Sequence, residues 1–161
     1  MKRILLPLLS AALLLSCSHA PAYRDDLSAE AVAAEIADPL PDSAGLIRYS
    51  DEEIESCLGI PAELSRDRCV MVQTNSVSID EIGVFRAADE GCAEQLKELL
   101  TDYLVRSEEA KADWLRSYNP VELEKLSEGQ ILHRGRYVIY LILGKADRRI
   151  AGENIEKILS E

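Results

Sequence analysis

Apolar positions recur along this chain in three rhythms, and each predicts a different kind of element. The first is a block: Ile4 to Leu15 is apolar except where Pro7 and Ser10 interrupt it. The second is helical spacing. Leu27, Val32, Ile36 and Leu40 form one side of a helix that Ser28 opens as N-cap, with Glu30 favourable in its first turn, and that Pro39 and Pro41 close. Ser50 with Glu53 has the capping-box pattern for a short helix through Cys57, stopped by Gly59 and Pro61. Cys92, Leu96, Leu99, Tyr103, Ser107, Ala110 and Trp114 predict a long helix from about Glu90 to Tyr118, ended by Pro120. Ile150, Ile155, Ile158 and Leu159 predict a last helix over Asp147 to Leu159.

The third rhythm is that of strands. Cys69 to Thr74 and Ile79 to Arg86 are rich in strand formers and flank a turn at Asn75-Ser76. Ile131 to His133 pairs with Tyr137 to Leu143 across Arg134-Gly135, and the unbroken apolar or aromatic run of the second segment predicts a strand buried on both faces. Two strand-strand-helix units therefore follow one another. Their junctions look alike, Phe85-Arg86-Ala87-Ala88-Asp89 against Leu143-Gly144-Lys145-Ala146-Asp147. The expected fold is α+β: a four-stranded, mainly antiparallel sheet from two strand-strand-helix units, with an N-terminal helix.

The opening block changes what the rest of the chain is expected to be. Lys2 and Arg3 precede it, and its 12 residues are fewer than the roughly 20 that a membrane-crossing helix needs. It ends in Leu14-Leu15-Ser16-Cys17, which looks like the lipobox of bacterial lipoproteins: an aliphatic residue, a small residue, then the cysteine that receives a diacylglyceryl group. The expected organisation is a signal peptide over residues 1–16, a tether from the lipidated Cys17 over 17–26, and a single globular domain over 27–161. Of 161 residues, 145 would remain, and the formal charge would pass from −11 to −13 as Lys2 and Arg3 leave. So acidic a surface is repelled by anionic head groups, so attachment would rest on the lipid. The same acidity, without a basic stripe, argues against a nucleic-acid partner.

Several segments resemble one family, the small bacterial lipoproteins of the domain of unknown function 4358. They are Leu58-Gly59-Ile60 after the acidic short helix, the segment Ile79-Asp80-Glu81-Ile82-Gly83-Val84-Phe85, Trp114 and Tyr118 with Pro120, and the Leu132-to-Leu143 hairpin with Gly135. The resemblance spans roughly Leu27 to Leu159. It implies an α+β domain on the outer face of the cell membrane and implies no catalytic residue.

Candidate chemistry is sparse. His133 stands at the tip of the predicted hairpin beside Arg134 and Arg136, a set that reads either as a small anion-binding point or as a charged edge that discourages strand addition. His19 falls in the tether. Ser43 lacks a nucleophile elbow, and Gly144-Lys145-Ala146 lacks the glycine and the hydroxyl of a phosphate loop. The carboxylates Asp51, Glu52, Glu53, Glu55, Glu108, Glu109, Glu122, Glu124 and Glu128 follow no cation-binding alternation. Cys57 with Cys69 is the candidate disulfide, Cys92 being the buried odd thiol; the alternative is three reduced cysteines. Tyr103, Trp114 and Tyr118 read as core, or else as the lining of a ligand groove.

No catalytic, metal or cofactor set is expected. The reading is a lipid-anchored extracytoplasmic domain at the cell membrane that binds an envelope protein or a small ligand. The alternatives are a cell-envelope enzyme using carboxylates or His133, and an assembly piece with an exposed apolar patch.

Overall fold

The computed structural model describes residues 23–75 and 78–160. The expected signal peptide, Cys17 and His19 lie outside the described residues, as do residues 76 and 77 of the first hairpin turn.

Ser28 accepts the amide of Ala31 and starts α1 (Ala29–Ala37), whose Val32, Ala33 and Ile36 are buried. A three-residue strand, β1 (Leu46–Arg48), follows. Ser50 and Glu53 close a full capping box on α2 (Asp51–Glu53), which continues as a π-helical turn, Ile54–Leu58. Gly59 ends that turn in the left-handed region at φ 75°, where a side chain would be strained. Then come β2 (Ser65–Gln73), β3 (Glu81–Ala87), α3 (Glu90–Tyr118), α4 (Pro120–Ser127), β4 (Gln130–Arg134), β5 (Tyr137–Ile142) and α5 (Lys145–Leu159).

The sheet has five strands in the order β1-β2-β3-β5-β4, every neighbouring pair antiparallel. The expected four strands are thus corrected to five. The additional one is β1, an edge strand of three residues, too short to show an alternation. The eight residues of α4 were not expected either. Pro120, read as a stop, sits in the first turn of a new helix, where its missing N–H costs nothing. The likeness of the two strand-to-helix junctions does not extend to their geometry. Asp89 caps α3 by accepting the amide of Cys92, whereas Asp147 lies inside α5, which Gly144 precedes.

Each face of the sheet carries its own core. Alternate residues Cys69, Ile82, Val84, Tyr137, Ile139 and Leu141 pack with α1 and α5. Val70, Val72, Phe85, Val138, Tyr140 and Ile142 pack with the π turn, α3 and α4. The run Tyr137 to Leu143 is fully buried on both faces, as its lack of polar residues predicts.

Two poles follow from this topology. Tyr23 bridges Ser160 and lies against Gly135, at the β4–β5 turn, so the end of the segment read as a tether is held against the domain. α3 starts near that pole, where Arg136 donates to the Ala88 carbonyl, and runs to the opposite pole at the start of β3. Among the described residues no helix is long and apolar enough to cross a membrane.

Candidate functional site

Asp80 and Glu81 stand side by side where the chain enters β3, and alternation of the extended chain sends them to opposite faces. Glu81 turns toward α3 and is buried. One of its oxygens, Oε2, accepts the hydroxyls of Tyr103 on α3, at 2.7 Å, and Tyr140 on β5, at 3.1 Å. Its other oxygen faces Lys111 Nζ at 3.9 Å. Gly83 makes the arrangement sterically feasible. It is the cross-strand partner of Tyr140, and the ring of Tyr140 occupies the place a β-carbon on Gly83 would take. Without that gap the phenol could not lie along β3 far enough to reach Glu81.

Burial pushes the Glu81 carboxyl above the usual carboxylate range, against the opposing pull of Tyr103, Lys111 and Tyr140. Burial and the adjacent Glu81 raise the phenols of Tyr103 and Tyr140. Both tyrosines therefore stay donors, and the carboxyl is enclosed by protein on most sides.

Asp80, on the other side, receives Lys125 of α4 at 2.7 Å, and the same ammonium meets Glu122 at 2.8 Å. Burial alone would lower Lys125, but its bonds to Asp80 and Glu122 offset this and hold it above its ordinary value. Glu122 also accepts the amide of Ile79 at 2.8 Å, so α4 is fastened to the segment leading into β3. A cleft of about 100 Å³ lies between α4 and the start of α5, lined by Val121, Lys125, Leu143, Lys145 and Arg148 among others. Arg148 is committed there to the side chain and carbonyl of Glu128.

Beyond Glu81, α3 outruns the sheet. Leu96, Leu100, Tyr103 and Ser107 form its buried stripe, and Trp114 and Tyr118 continue the same side of the helix. Trp114 is nevertheless 53% exposed and Tyr118 76%. Their rings sit 5.8 Å apart, and Val121 of α4 is also exposed, at 65%. The expectation of a core role holds for Tyr103 and is corrected for Trp114 and Tyr118: their spacing fits a core stripe, but no sheet remains beneath them.

A family model, Domain of unknown function (DUF4358), matches residues 42–143, more than half of the chain. The chain belongs to the DUF4358 family. The match runs from the turn before β1 to the end of β5, so the five strands, the Glu81 cluster and the overhang of α3 lie within the DUF4358 region, while α1 and α5 flank it. No curated protein and no solved structure matches the chain.

The remaining candidate residues of this DUF4358 domain separate rather than converge. His133 Nε2 bonds to the carbonyl of Gly135 at 2.8 Å, Arg134 pairs with Glu156, and Arg136 meets Asp25 at 3.2 Å. Each of the three side chains thus has its own partner, and no shared anion point forms from them. Asp51 and Glu55 hold the buried Arg68 at 2.8 and 3.2 Å. Ser43 lies in a short turn, Ser43–Gly45, Glu109 and Glu124 are exposed on α3 and α4, and Glu108 is half-buried on α3.

Cys57, Cys69 and Cys92 are all free thiols, so the Cys57–Cys69 disulfide is absent from the structure. The sheet separates the two. Cys69 is buried in the layer with α1 and α5, whereas the turn bearing exposed Cys57 sends Ile54 and Leu58 into the opposite layer.

Sequence reasoning passed over Glu81, Tyr140 and Gly83 as site residues. The available signal was an acid followed at once by an apolar strand interrupted by a single glycine, Glu81-Ile82-Gly83-Val84.

Proposed function

We propose that this DUF4358 domain is a lipid-anchored interaction module on the extracytoplasmic face of the cell membrane, engaging a protein partner through the overhanging end of α3. One observation carries the binding reading: the apolar stripe of α3 continues past the sheet and presents Trp114 and Tyr118 to the surroundings. Large aromatic side chains left without a core partner are typical anchors of interfaces. The anchoring part rests on the Ser16-Cys17 junction after a short apolar run. Tyr23, the first described residue after the anchor, lies at the pole opposite the aromatic pair. In this reading the lipid holds one pole near the membrane, and the other is offered to a partner.

The geometry gives less support to an envelope enzyme. Glu81, a buried carboxyl, is closed over by two tyrosines, and His133 is tied into its own turn.

The test is covalent crosslinking of intact cells, followed by mass analysis of adducts on the wild-type chain and on Trp114→Ala/Tyr118→Ala. A discrete adduct lost in the double variant is expected. An identical adduct pattern in both chains overturns the assignment of the surface. Metabolic fatty-acid labelling tests the anchor: the label should vanish in Cys17→Ala, and its persistence would refute the lipid site.

A further inference from the structure

The segment that leads into the domain is bonded to it from its first described residue. Tyr23 bridges Ser160 and lies against Gly135, and Arg134 sits over its ring at 5.8 Å. The amide of Arg24 donates to the Leu159 carbonyl at 3.0 Å, and Arg86 donates to the Asp25 carbonyl at 3.0 Å. The domain surface thus begins at Tyr23. With Cys17 as the lipidated residue, only residues 18–22 lie between the two, and the six Cα steps from Cys17 to Tyr23 reach at most about 22 Å. The overhang cannot take the place of Tyr23 at the bilayer. Glu90 to Trp114 is about 36 Å of helix, running away from the pole of Tyr23, so an inverted domain would need a longer link than the one present.

Charge separates the remaining orientations. At physiological ionic strength it acts over about 8 Å, so the surface in contact matters more than the net charge. Around Tyr23 each cation has its anion: Arg24 with Asp26, Arg136 with Asp25, and Arg134 with Glu156. The broad sides of the domain differ. Asp38 after α1, and Glu98, Asp102 and Glu109 along the outer side of α3, are exposed, and among the described residues none of them is in an ion pair. Anionic head groups repel these sides and leave the balanced pole as the one that approaches freely.

Resting on the lipid-anchor reading, and deepening it, we infer that the face bearing Tyr23, the β4–β5 turn and the last turn of α5 lies on anionic phospholipid head groups, with the overhang of α3 pointing away from the bilayer. The short link excludes the inverted domain, and the unpaired acids exclude the domain laid on its side. Tyr23 beneath the Arg134 guanidinium supplies an aromatic ring and a cation of the kind that sits at head-group level. Trp114 and Tyr118 are then offered to a partner above the membrane surface rather than to one embedded in it.

The experiment incorporates the mature lipidated chain into phosphatidylglycerol vesicles containing a small share of phospholipid with a photoactivatable head group, and maps the lipid adducts by mass. Adducts are expected on residues 133–137 and 157–160, which are far in sequence from Cys17, and none on 98–118. Insertion of about twenty Gly and Ser residues after Ala20 should remove most of the adducts at 133–137 while Cys17 keeps its fatty acid, because the lengthened link no longer confines the domain. An unchanged yield there overturns the role of the short link. In phosphatidylcholine, where the repulsion is absent, adducts should spread to 98–109, and a pattern indifferent to lipid charge overturns the role of the acids. Adducts centred on 98–109 or 114–118 in phosphatidylglycerol overturn the orientation. No adduct beyond residues 17–22, with the fatty acid present, overturns the contact and leaves the anchor standing; absence of the fatty acid from Cys17 overturns the anchor reading itself.

Discussion

Tyr140 and Gly83 face each other across β5 and β3, and the ring of the one fills the space left by the missing side chain of the other. This exchange lets the Tyr140 hydroxyl reach Glu81, two residues along β3 on the same side of the sheet. It also places the ring 5.7 Å from Tyr103, edge to face, and 6.5 Å from Phe85. The backbone of Gly83 is in no special conformation; what forbids a side chain there is the neighbour.

Gly83→Ala should therefore destabilise the domain by about 1–3 kcal/mol, the usual range for overpacking a core. Urea unfolding would measure it. Gly83→Ala combined with Tyr140→Leu should cost less than the sum of the two single changes, because the clash is removed. Additive costs in this double-mutant cycle would show that the two residues do not share the space.

Glu81 gives the domain a pH dependence of definite sign. Its carboxyl titrates above the usual carboxylate range when folded, because burial penalises the charge. Between the unfolded and folded values the native state binds a proton that the unfolded chain has released. Stability is thus fully present below the unfolded value and is lost as pH rises through the folded one. Glu81→Gln keeps an oxygen that accepts from Tyr103 and Tyr140 and removes the buried charge. The variant should be more stable than the parent at neutral pH, with the difference shrinking toward acid. Denaturant melts across the acidic-to-neutral range would show it, and a variant less stable at every pH would contradict this account.

Arg68 is the buried cation of β2, and it holds the turn bearing Cys57 in place. Its guanidinium donates to Asp51, Glu55 and the carbonyl of Ile60, the last at 3.0 Å. Asp51 and Glu55 are mostly in water, so removing either leaves Arg68 still partnered. Arg68→Ala deprives the Ile60 carbonyl of its donor and opens a gap, and should cost about 1–3 kcal/mol. Asp51→Ala should cost less, about 1 kcal/mol or below, because Asp51 itself lies mostly in water and Arg68 keeps Glu55 and the Ile60 carbonyl. Equal losses would overturn this ranking.

Elements with a whole period to display were legible in the sequence; relationships between elements were not. The 29 residues of α3 show eight turns of spacing and a helix-closing proline, and the structure has them as Glu90–Tyr118. β1 has three residues, fewer than two repeats of its period, and is held by pairing of Leu46 with Gln73 and Arg48 with Met71 rather than by any pattern of its own. The fit of Tyr140 into Gly83 depends on strand register, which single-strand patterns do not contain. Trp114 shows a limit of another kind. Its spacing is that of a core residue, but whether a core lies beneath depends on how far the sheet extends, and β3 begins at the level of Tyr103.

The thiols should react in an order set by burial. Cys57 is exposed and should be alkylated first in the native protein. Cys92, half-buried with its thiol raised by the neighbouring Asp89, should follow. Cys69 is buried, and burial pushes its thiol up, so it should react only as the domain unfolds. Mass mapping under native conditions would read this order, and a Cys57–Cys69 linked peptide would contradict the separation of the two by the sheet.

Trp114 and Leu115 are adjacent in sequence and opposite in environment. Leu115 is 1% exposed and joins the core layer that includes Leu126 of α4, whereas Trp114 is 53% exposed beside Tyr118. Truncating a buried leucine removes its transfer free energy and leaves a cavity, so Leu115→Ala should cost about 2–5 kcal/mol. Truncating an exposed side chain outside the core changes stability by about 0.5 kcal/mol or less, so Trp114→Ala should melt near the parent temperature. Because Trp114 is the single tryptophan, its emission reads the overhang alone. In dilute protein it should be readily quenched by iodide. A blue-shifted, unquenchable emission in dilute protein, or a Trp114→Ala variant as unstable as Leu115→Ala, would return Trp114 to the core and remove the exposed surface on which binding rests.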